Sequence, residues 1–421
     1  MADIVLKGNT SGSITIASPD VSGVNVLTLP VETGTILTTN TPLPEVSSVE
    51  FAGAGTSSGN ITITAPDTDE TNTLTLPETT GTFATENSLG MRNLIINGDM
   101  AIDQRNVGAS ATSNGSVYTV DRYEFQMSSV TNVQTYQQVT DAPAGFNKSL
   151  KITNNSTTQA TAAGILCTPR QKIEGLNTAY LNWGTSDAQT VTVSFWVKAS
   201  VTGTYPVALT NNNFSRSFVT NYTVSVANTW EYKTVTIAGD TSGTWTVNTT
   251  TGINVLFSLD TGSTYQTTAD SWQSGNYRGT SSDVHFLANA SATWQITGVQ
   301  LEANTTATPF ENLQYGTQLQ LCQRYYQTIS KMTGYSGPTT SDIQCSVAYP
   351  IPMRATPTIS QSSVFRFDDA AAAFTQTSTG LGLASTNNTG TIINVINITV
   401  NGTFRPHGKA NAATLNLNAE L

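Results

Sequence analysis

The sequence predicts a mainly β protein with a large β domain in the middle of the chain. Charged residues make up 11% of the 421 residues, less than half of the roughly 25% usual in soluble proteins. Thr, Ser, Asn and Gly take their place, and β-branched Thr suits a pleated surface. Five of the six tryptophans lie between positions 183 and 272 and the sixth is Trp294. These observations indicate strand-rich regions, one of which has a full-sized core.

Residues 12–40 and 59–87 are one unit repeated at an offset of 47 residues. The apolar residues of each unit alternate with Thr, which predicts short strands with one buried face. About thirty residues of short strands bury too little apolar area to fold alone, whereas three copies around an axis share a core. Residues 1–90 are therefore predicted to form the shaft of a homotrimer. Two independent hairpins on a monomer are the alternative.

Residues 93–106 mark the change from repeats to larger strands. Leu94-Ile95-Ile96 precedes the turn-forming pair Asn97-Gly98, and a second apolar alternation follows. This pattern predicts two strands around a tight turn.

Residues 91–314 are predicted to form a jelly-roll β-sandwich, because longer strands alternate here with polar turns. In the strand around 190–198, Val191, Val193, Phe195 and Val197 are predicted to face the core. The candidate strands span residues 121–126, 149–153, 163–168, 190–198, 205–209, 216–224, 230–237, 244–248, 253–259 and 293–301.

Residues 315–332 are predicted to form one amphipathic helix, with Thr317 as a candidate N-cap. Leu321, Cys322, Tyr325 and Ile329 fall on one apolar stripe. Cys322 is then a small buried hydrophobe. Leu321, Tyr325 and Ile329 are the predicted trimer-packing residues.

Residues 333–421 return to strand patterns and are predicted to form a C-terminal β tip. Strands are expected at residues 342–349, 364–367, 392–400 and 412–417. The segments 370–374 and 380–384 are expected to be apolar loops at or near the end of this tip.

Four segments resemble bacteriophage tail-fibre proteins: NLIINGDMAIDQRN at 93–106, SFWVKAS at 194–200, WQITGVQLE at 294–302 and QLCQRYY at 320–326. The resemblance implies attachment to other virion tail or baseplate proteins through the N-terminal region. It also implies a virion location and recognition of a host polysaccharide, either lipopolysaccharide or capsule. The SFWVKAS and WQITGVQLE strands are similar to those of jelly-roll carbohydrate-binding modules, which implies glycan binding.

Sugars present apolar C–H faces to aromatic rings and hydroxyls to polar side chains. The aromatic residues on predicted loops or outer faces are therefore the candidate carbohydrate-binding residues. Packing within the core or at a trimer interface is the alternative for each of them. The strand residues Trp196, Trp230 and Trp294 are expected in the core or at a subunit contact. The candidates are Trp183, Trp245, Tyr265, Trp272 and Tyr277.

Charge and cysteine content narrow the remaining function classes. The net charge is −10 and the basic residues form no run, so nucleic acid is not an expected partner. The three cysteines are odd in number and lack CxxC spacing, which argues against a disulfide framework or a zinc site. No metal or cofactor is predicted. The N-terminus lacks a signal-peptide pattern, so synthesis in the host cytoplasm is expected.

The sequence does not predict an enzyme. A polysaccharide-cleaving tailspike needs two carboxylates across a cleft, and no pair among the candidates stands in a recognised motif. His285 and His407 have no nucleophile motif beside them. A depolymerase and a purely structural fibre or adaptor remain the alternatives to a binding fibre. The candidate carboxylates are Asp260, Asp270, Asp283, Asp368 and Asp369.

Overall fold

The computed structural model divides the chain into two compact units, Met1–Gly81 and Thr82–Leu421. The described residues are 4–7, 13–16, 48–52, 60–64, 91–155, 158–160, 162–329, 334–336, 343–361, 366–369, 372–377, 380–396 and 414–421.

The described residues of the first unit form two antiparallel hairpins. Strands β1 (Ile4–Lys7) and β2 (Ser13–Ile16) form one hairpin, and β3 (Ser48–Ala52) and β4 (Asn60–Thr64) form the other. The first strand of each repeat thus exists, and it pairs with a strand that precedes the repeat. The rest of each predicted unit lies outside the described residues.

In its described ranges, the second unit contains an antiparallel β-sandwich and two α-helices. Helix α1 spans Gly175–Thr178 and helix α2 spans Tyr315–Gln323. Short 3-10 turns occur at Ala179–Leu181, Ser263–Tyr265 and Phe286–Ala288. The sandwich strands are β5 (Ala111–Ser113), β6 (Val117–Tyr118), β7 (Tyr123–Ser128), β8 (Gln134–Val139), β9 (Ser149–Asn154), β10 (Leu166–Glu174), β11 (Val191–Ala199), β12 (Gly203–Asn211), β13 (Arg216–Val224), β14 (Glu231–Ile237), β15 (Thr251–Phe257), β16 (Asp260–Thr261), β17 (Ser271–Ser274) and β18 (Thr293–Glu302).

Two sheets form the layers of the sandwich. The eight-stranded sheet has the order β17-β13-β12-β15-β10-β7-β6, with β16 paired to β10, and the six-stranded sheet has the order β14-β11-β18-β9-β8-β5. Neighbouring strands such as β12 and β13 pair antiparallel. One buried cluster draws side chains from both sheets, including Phe195 of β11 and Phe257 of β15. The fold is therefore mainly β and sandwich-like, consistent with a jelly roll.

Strand β11 confirms the predicted core face. Val191, Val193, Phe195 and Val197 are all fully buried, while Trp196 on the opposite face is half-buried. Most of the other predicted strands occur within a few residues of their expected bounds. The predicted strand at 244–248 is absent from the described structure, where these residues form a loop.

Residues 93–106 form turns rather than the two predicted strands. Asn97 explains the difference, because it is fully buried with a backbone φ of 60°. Its Nδ2 donates to the carbonyls of Ile102 (2.9 Å) and Asp121 (3.0 Å), and its Oδ1 accepts from the amide of Ile102 (2.8 Å). The segment packs against β18, where the Leu94 amide donates to the Leu301 carbonyl at 2.8 Å. Side-chain hydrogen bonds thus replace a strand ladder.

Helix α2 ends at Gln323, not near residue 332 as predicted, and its N-cap is Gln314 rather than Thr317. The chain then forms strand β19 (Tyr326–Ile329), which pairs with β27 (Leu415–Asn418). The apolar stripe predicted for one helix is therefore divided between two elements. Leu321 and Cys322 lie in α2, whereas Ile329 lies in β19. Pairing with a strand nearly ninety residues later in the sequence overrides the local helical pattern.

The C-terminal region adds further strands, and its last strand returns to the sandwich. The predicted loops at 370–374 and 380–384 overlap strands, because their segments pair with neighbouring chain. Residues 414–421 contact the sandwich, since Lys172 of β10 donates to the Leu421 carbonyl. The tip role of the C-terminal region stays a prediction. The remaining strands are β20 (Gly334–Ser336), β21 (Ile343–Ala348), β22 (Thr358–Gln361), β23 (Arg366–Asp369), β24 (Ala372–Thr377), β25 (Gly380–Thr386) and β26 (Gly390–Ile396).

A buried polar cluster, which we call the junction, connects the sandwich to residues 314–329 and 414–421. Glu420 pairs with Arg122 and, at 3.1 Å, with Arg105. The Arg122 guanidinium lies 3.5 Å from the centre of the Tyr325 ring. The junction consists of Asn97, Arg105, Asp121, Arg122, Glu174, Gln318, Arg324, Tyr325 and Glu420.

Candidate functional site

Three of the five predicted sugar-binding residues form one tryptophan cluster. The ring centroids of Trp183 lie 4.7 Å from Trp245 and 5.4 Å from Trp272, all at steep interplanar angles. Trp272 also contacts Phe218 of the core at 5.4 Å. Each indole N–H donates to a backbone carbonyl, that of Gln189 for Trp183.

This cluster closes one end of the sandwich core. Trp183 is 8% exposed and belongs to the core, while Trp245 and Trp272 pack against the core half-buried. Gly184 permits the close approach of the two loops, since a Cβ there would lie 2.9 Å from the Gly243 carbonyl oxygen. The Trp183 ring is covered by the other two, so a sugar has no open face to stack on. The structure favours the packing alternative for this residue.

The other two predicted residues, Tyr265 and Tyr277, lie on the outer face of the eight-stranded sheet. Tyr277 covers a small apolar cluster of Ala208, Val219 and Leu256, which point away from the core. The Tyr277 amide donates to Ser217 Oγ of β13 at 3.3 Å. The backbone carbonyl of Tyr265 accepts from the Arg278 amide at 2.8 Å, so the two tyrosines belong to one folded loop, residues 262–283.

A groove with a volume of about 650 Å³ lies between this loop and β13. None of its lining residues within the described ranges carries a formal charge, and most offer a hydroxyl or an amide. The lining consists of Asn221, Ser263, Gln266, Thr267, Thr268, Ala269, Thr280, Ser281 and Ser282. The groove together with Phe214, Tyr265, Tyr277 and Arg278 is called the outer-face site below.

Hydrogen bonds within the loop fix the groove walls. Thr280 donates from its amide and its hydroxyl to the Asp283 carboxylate, both at 2.6 Å. Asn221 Nδ2 donates to Thr280 Oγ1 at 3.2 Å, and Gln266 Nε2 donates to the Thr261 carbonyl at 2.8 Å. Burial raises the pKa of the Asp283 carboxyl, although the hydrogen bonds from Thr280 oppose this shift.

The predicted carboxylates have structural partners. Asp260 is 1% exposed, and its Oδ2 accepts from the Leu287 amide at 3.0 Å while Oδ1 lies 3.2 Å from His285 Nδ1. Asp270 accepts from Thr220 Oγ1 at 2.7 Å. The side chains of Asp368 and Asp369, and His407, lie outside the described residues.

The described cysteines and acidic residues form no candidate metal cluster. Cys167 and Cys322 are free and buried, and burial raises the pKa of both thiols well above the usual value. Both therefore remain protonated and act as small hydrophobes. No described helix is long and apolar enough to cross a membrane.

The predicted trimer-packing residues have different surroundings. Tyr325 is fully buried within its own chain, and its hydroxyl donates to Glu174 at 2.8 Å, so it has no surface left for a symmetry mate. Leu321 and Ile329 are half-buried, and their trimer role stays a prediction.

Of the strand tryptophans, Trp294 is fully buried in the core as expected. Trp196 and Trp230 are half-buried. Trp196 lies on the outer face of the six-stranded sheet, with its ring centroid 5.4 Å from that of Tyr232. Trp230 donates to Asp141 at 3.2 Å.

Sequence reasoning missed several outer-face residues. Asn221 and Gln266 lie in ordinary polar stretches, and Arg278 stands alone beside Tyr277. Phe214 lies in an Asn-rich turn with a φ of 57°. Their proximity depends on pairing between β13, β12 and the long loop, and no local pattern encodes that pairing.

No family model matches the chain, and no curated protein matches it. A xylan-binding domain from Paenibacillus barcinonensis is 10% identical, with 51% of this chain and 96% of that domain covered and a TM-score of 0.23. A family 11 carbohydrate-binding module of a cellulosomal cellulase from Clostridium thermocellum is 13% identical, with 49% and 95% covered and a TM-score of 0.22. These values are too low to place the chain in either family. The fold class therefore rests on the two sheets themselves.

Proposed function

We propose that the chain binds a glycan at the outer-face site. The observation that carries this proposal is the groove of about 650 Å³ with its uncharged lining of hydroxyl and amide groups. A sugar hydroxyl both donates and accepts hydrogen bonds, so Ser, Thr, Asn and Gln match it without the cost of burying a charge.

The loop that forms the groove also carries two tyrosines, whose aromatic rings can complement the apolar faces of a sugar. Tyr265 is half-buried next to Gln266, and Tyr277 is half-buried over the sheet. Both rings offer a partly exposed surface on which sugar C–H groups pack. The loop that carries them is fixed to a rigid sheet, an arrangement often used for binding.

In this proposal the chain is part of a bacteriophage tail fibre. The resemblance of residues 93–106, 194–200, 294–302 and 320–326 to such proteins supports it. The N-terminal residues 1–90 attach the fibre to tail or baseplate proteins, and the sandwich recognises lipopolysaccharide or capsule on the host. The chain acts as a homotrimer, in which three shallow sites on a repetitive surface gain roughly 10² to 10⁴ in effective affinity.

The proposed activity is binding without cleavage. The described carboxylates of the loop are engaged in hydrogen bonds, as with Asp283 and both donors of Thr280. Incubation of the full chain with bacterial polysaccharides, followed by size-exclusion chromatography of the polymer, is expected to leave the polymer length unchanged. Shortened polymer would instead identify a depolymerase.

A glycan array of bacterial surface polysaccharides, probed with the full chain, tests the binding proposal. We expect a restricted set of hits, and about tenfold weaker binding after the double substitution Gln266→Ala and Thr268→Ala, which removes a side-chain amide and a hydroxyl from the groove. Tyr232→Ala is the matched control, because Tyr232 is 44% exposed on the other sheet. Absence of any hit would contradict the proposal, as would equal losses in both variants.

Sedimentation equilibrium of the full chain tests the proposed trimer. A mass three times that of the 44.6 kDa chain is expected. A monomer at micromolar concentration would contradict the avidity mechanism and leave the single-site proposal standing.

A further inference from the structure

Three basic side chains meet on the outer face of the eight-stranded sheet. Arg170 and Lys172 project from β10, and both approach Glu124 Oε2 of β7 at 2.9 Å. Arg278 reaches the same face from the loop and donates to Gln126 of β7. Arg170 and Arg278 thus lie near one carboxylate, that of Glu124, whereas Lys172 also interacts with Glu420. The net charge of the chain is −10.

Arg278 is the most deeply buried of these three basic side chains. It is 2% exposed, and within the described residues it makes no ion pair. Within the described part of the chain, its side chain donates to the neutral amide oxygens of Asn276, at 3.0 Å, and Gln126. Burial, followed by the neighbouring Arg170, lowers the pKa of Arg278 to about 10. The guanidinium remains charged at neutral pH, and a buried charge without a counter-charge is unfavourable.

Arg170 also has unused hydrogen-bonding capacity. Its Nε and Nη2 are directed to Glu124, whereas its Nη1 is buried and has no hydrogen-bond partner among the described residues. Arg170 is 5% exposed. A buried donor without a partner is unfavourable, so an acceptor supplied from outside the chain would be favourable here.

Both guanidiniums lie near one aromatic ring. The centre of the Phe214 ring is 4.4 Å from Arg278 Cζ and 5.7 Å from Arg170 Cζ. Phe214 is half-buried in the turn between β12 and β13, where Asn212 and Asn213 are exposed. Because both guanidiniums are almost fully buried, binding of a ligand to them requires Phe214 to move aside.

We infer that the glycan bound at the outer-face site is acidic, and that its anionic group binds Arg278 and Arg170 while its hydroxyls occupy the groove. This inference rests on the proposed function. Arginine pairs with carboxylate and phosphate through two parallel hydrogen bonds, so either group on the sugar satisfies the site. Neutral glycans would leave the imbalance of charge in place.

The glycan array separates this inference from the proposed function. We expect the hits to carry uronic acid or another carboxylated sugar, or a phosphate substituent, and the two kinds of hit would identify the anionic group. Hits that are all neutral glycans would overturn the inference and leave glycan binding standing. An array without hits would overturn both.

Chemical removal of the charge from the glycan provides a matched control on the ligand side. Reduction of its carboxylates to alcohols, or removal of its phosphates, keeps the sugar sequence and deletes the charge. About 10-fold to 100-fold weaker binding is expected, which corresponds to the loss of one charge-assisted pair. Unchanged affinity would overturn the inference.

Arg278→Gln tests the residue itself, with Lys233→Gln on the other sheet as the charge-matched control. Arg278→Gln is expected to weaken binding of the acidic glycan by a similar factor and to remove most of its salt dependence, whereas Lys233→Gln changes neither. If Arg278→Gln fails to fold, the salt dependence of glycan binding by the unaltered chain still tests the inference. Affinity that falls between 50 mM and 500 mM NaCl supports the inference, and affinity independent of salt contradicts it.

Discussion

The junction and the outer-face site use polar residues in opposite ways. The junction buries Arg122 and Glu420 against each other, with side chains 1% and 3% exposed. The groove of the outer-face site is lined by neutral hydroxyls and amides. Buried charges impose one arrangement of partners, because any other leaves a charge unpaired. Exposed neutral groups, such as the hydroxyls of Ser263, Thr268 and Ser281 in the groove, cost little when no ligand is bound, and they remain available to one.

The four segments that resemble tail-fibre proteins and the proposed binding residues also lie in different regions. Residues 93–106 and 320–326 meet in the junction, where Gln104 Nε2 donates to the Tyr326 carbonyl at 2.9 Å. The groove residues lie outside all four segments. The segments that carry the resemblance therefore build the scaffold, and a different stretch of chain forms the site.

The largest effect is expected from Glu420→Gln. The substitution leaves the buried Arg122 without its counter-charge, so the free energy of unfolding should fall by about 3–5 kcal/mol. Urea denaturation of the full chain measures it. Asp141→Asn is the control, because Asp141 pairs with Lys198 at 2.5 Å but is 48% exposed, and less than about 1 kcal/mol is expected. Equal losses in the two variants would remove the distinction between the regions.

Asn97→Ala should cost about 2–4 kcal/mol. The substitution leaves the Ile102 amide and two buried carbonyls without partners, and it places Ala at a φ of 60°, which adds strain. Asn97→Gly removes the strain and keeps the loss of hydrogen bonds, so its cost should be about 1 kcal/mol smaller. Thermal or urea denaturation measures both variants. If both are as stable as the parent, the Asn97 side chain does not stabilise residues 93–106.

The junction should also give a pH dependence to stability. Burial raises the pKa of the Asp121 carboxyl to about 6, although Arg105 and Gln104 oppose the shift. The unfolded value is about 3.9, so the folded state binds the proton more tightly. This contribution to stability is present below about pH 4 and is lost as the pH rises through about 6, by up to about 3 kcal/mol.

The pH effect is measured as the difference in unfolding free energy between the parent and Asp121→Asn across pH 4 to 7. The asparagine cannot titrate, so the difference should change in this window. A constant difference would contradict the raised pKa.

The smallest effect on stability is expected in the groove. Gln266→Ala with Thr268→Ala should lower the unfolding free energy by less than about 1 kcal/mol, since Gln266 is half-buried and Thr268 is exposed. Urea denaturation of this double variant and of Glu420→Gln under the same conditions provides the comparison. A loss as large as that of Glu420→Gln would mean that the groove residues hold the fold and are not free to bind.

Local patterns predicted most of the longer sandwich strands, although they missed β8 (Gln134–Val139), and they did not predict the contacts between distant segments. Strand β13 has its predicted bounds, Arg216–Val224, because period-2 alternation depends on burial of one face. The end of α2 at Gln323 was missed, because β27 competes for the next residues. The buried role of Asn97 was missed for a similar reason, since an Asn-Gly pair usually signals an exposed turn.

The candidate site was predictable in part. Tyr265 and Tyr277 were correctly placed away from the core by their loop context, whereas Trp183 was assigned to a binding surface and instead packs in the core. The sequence around a tryptophan does not show whether its ring packs in the core or stacks on a sugar. The pairing of Arg278 with Phe214 depends on chain segments more than sixty residues apart, which no periodicity encodes.

The affinity of the full chain for its glycan hit, compared with that of the Gln266→Ala and Thr268→Ala variant, tests the central claim most directly. Isothermal titration calorimetry should show about tenfold weaker binding with the unfolding free energy nearly unchanged. Equal affinity in a folded variant would contradict the claim that the outer-face site binds the glycan.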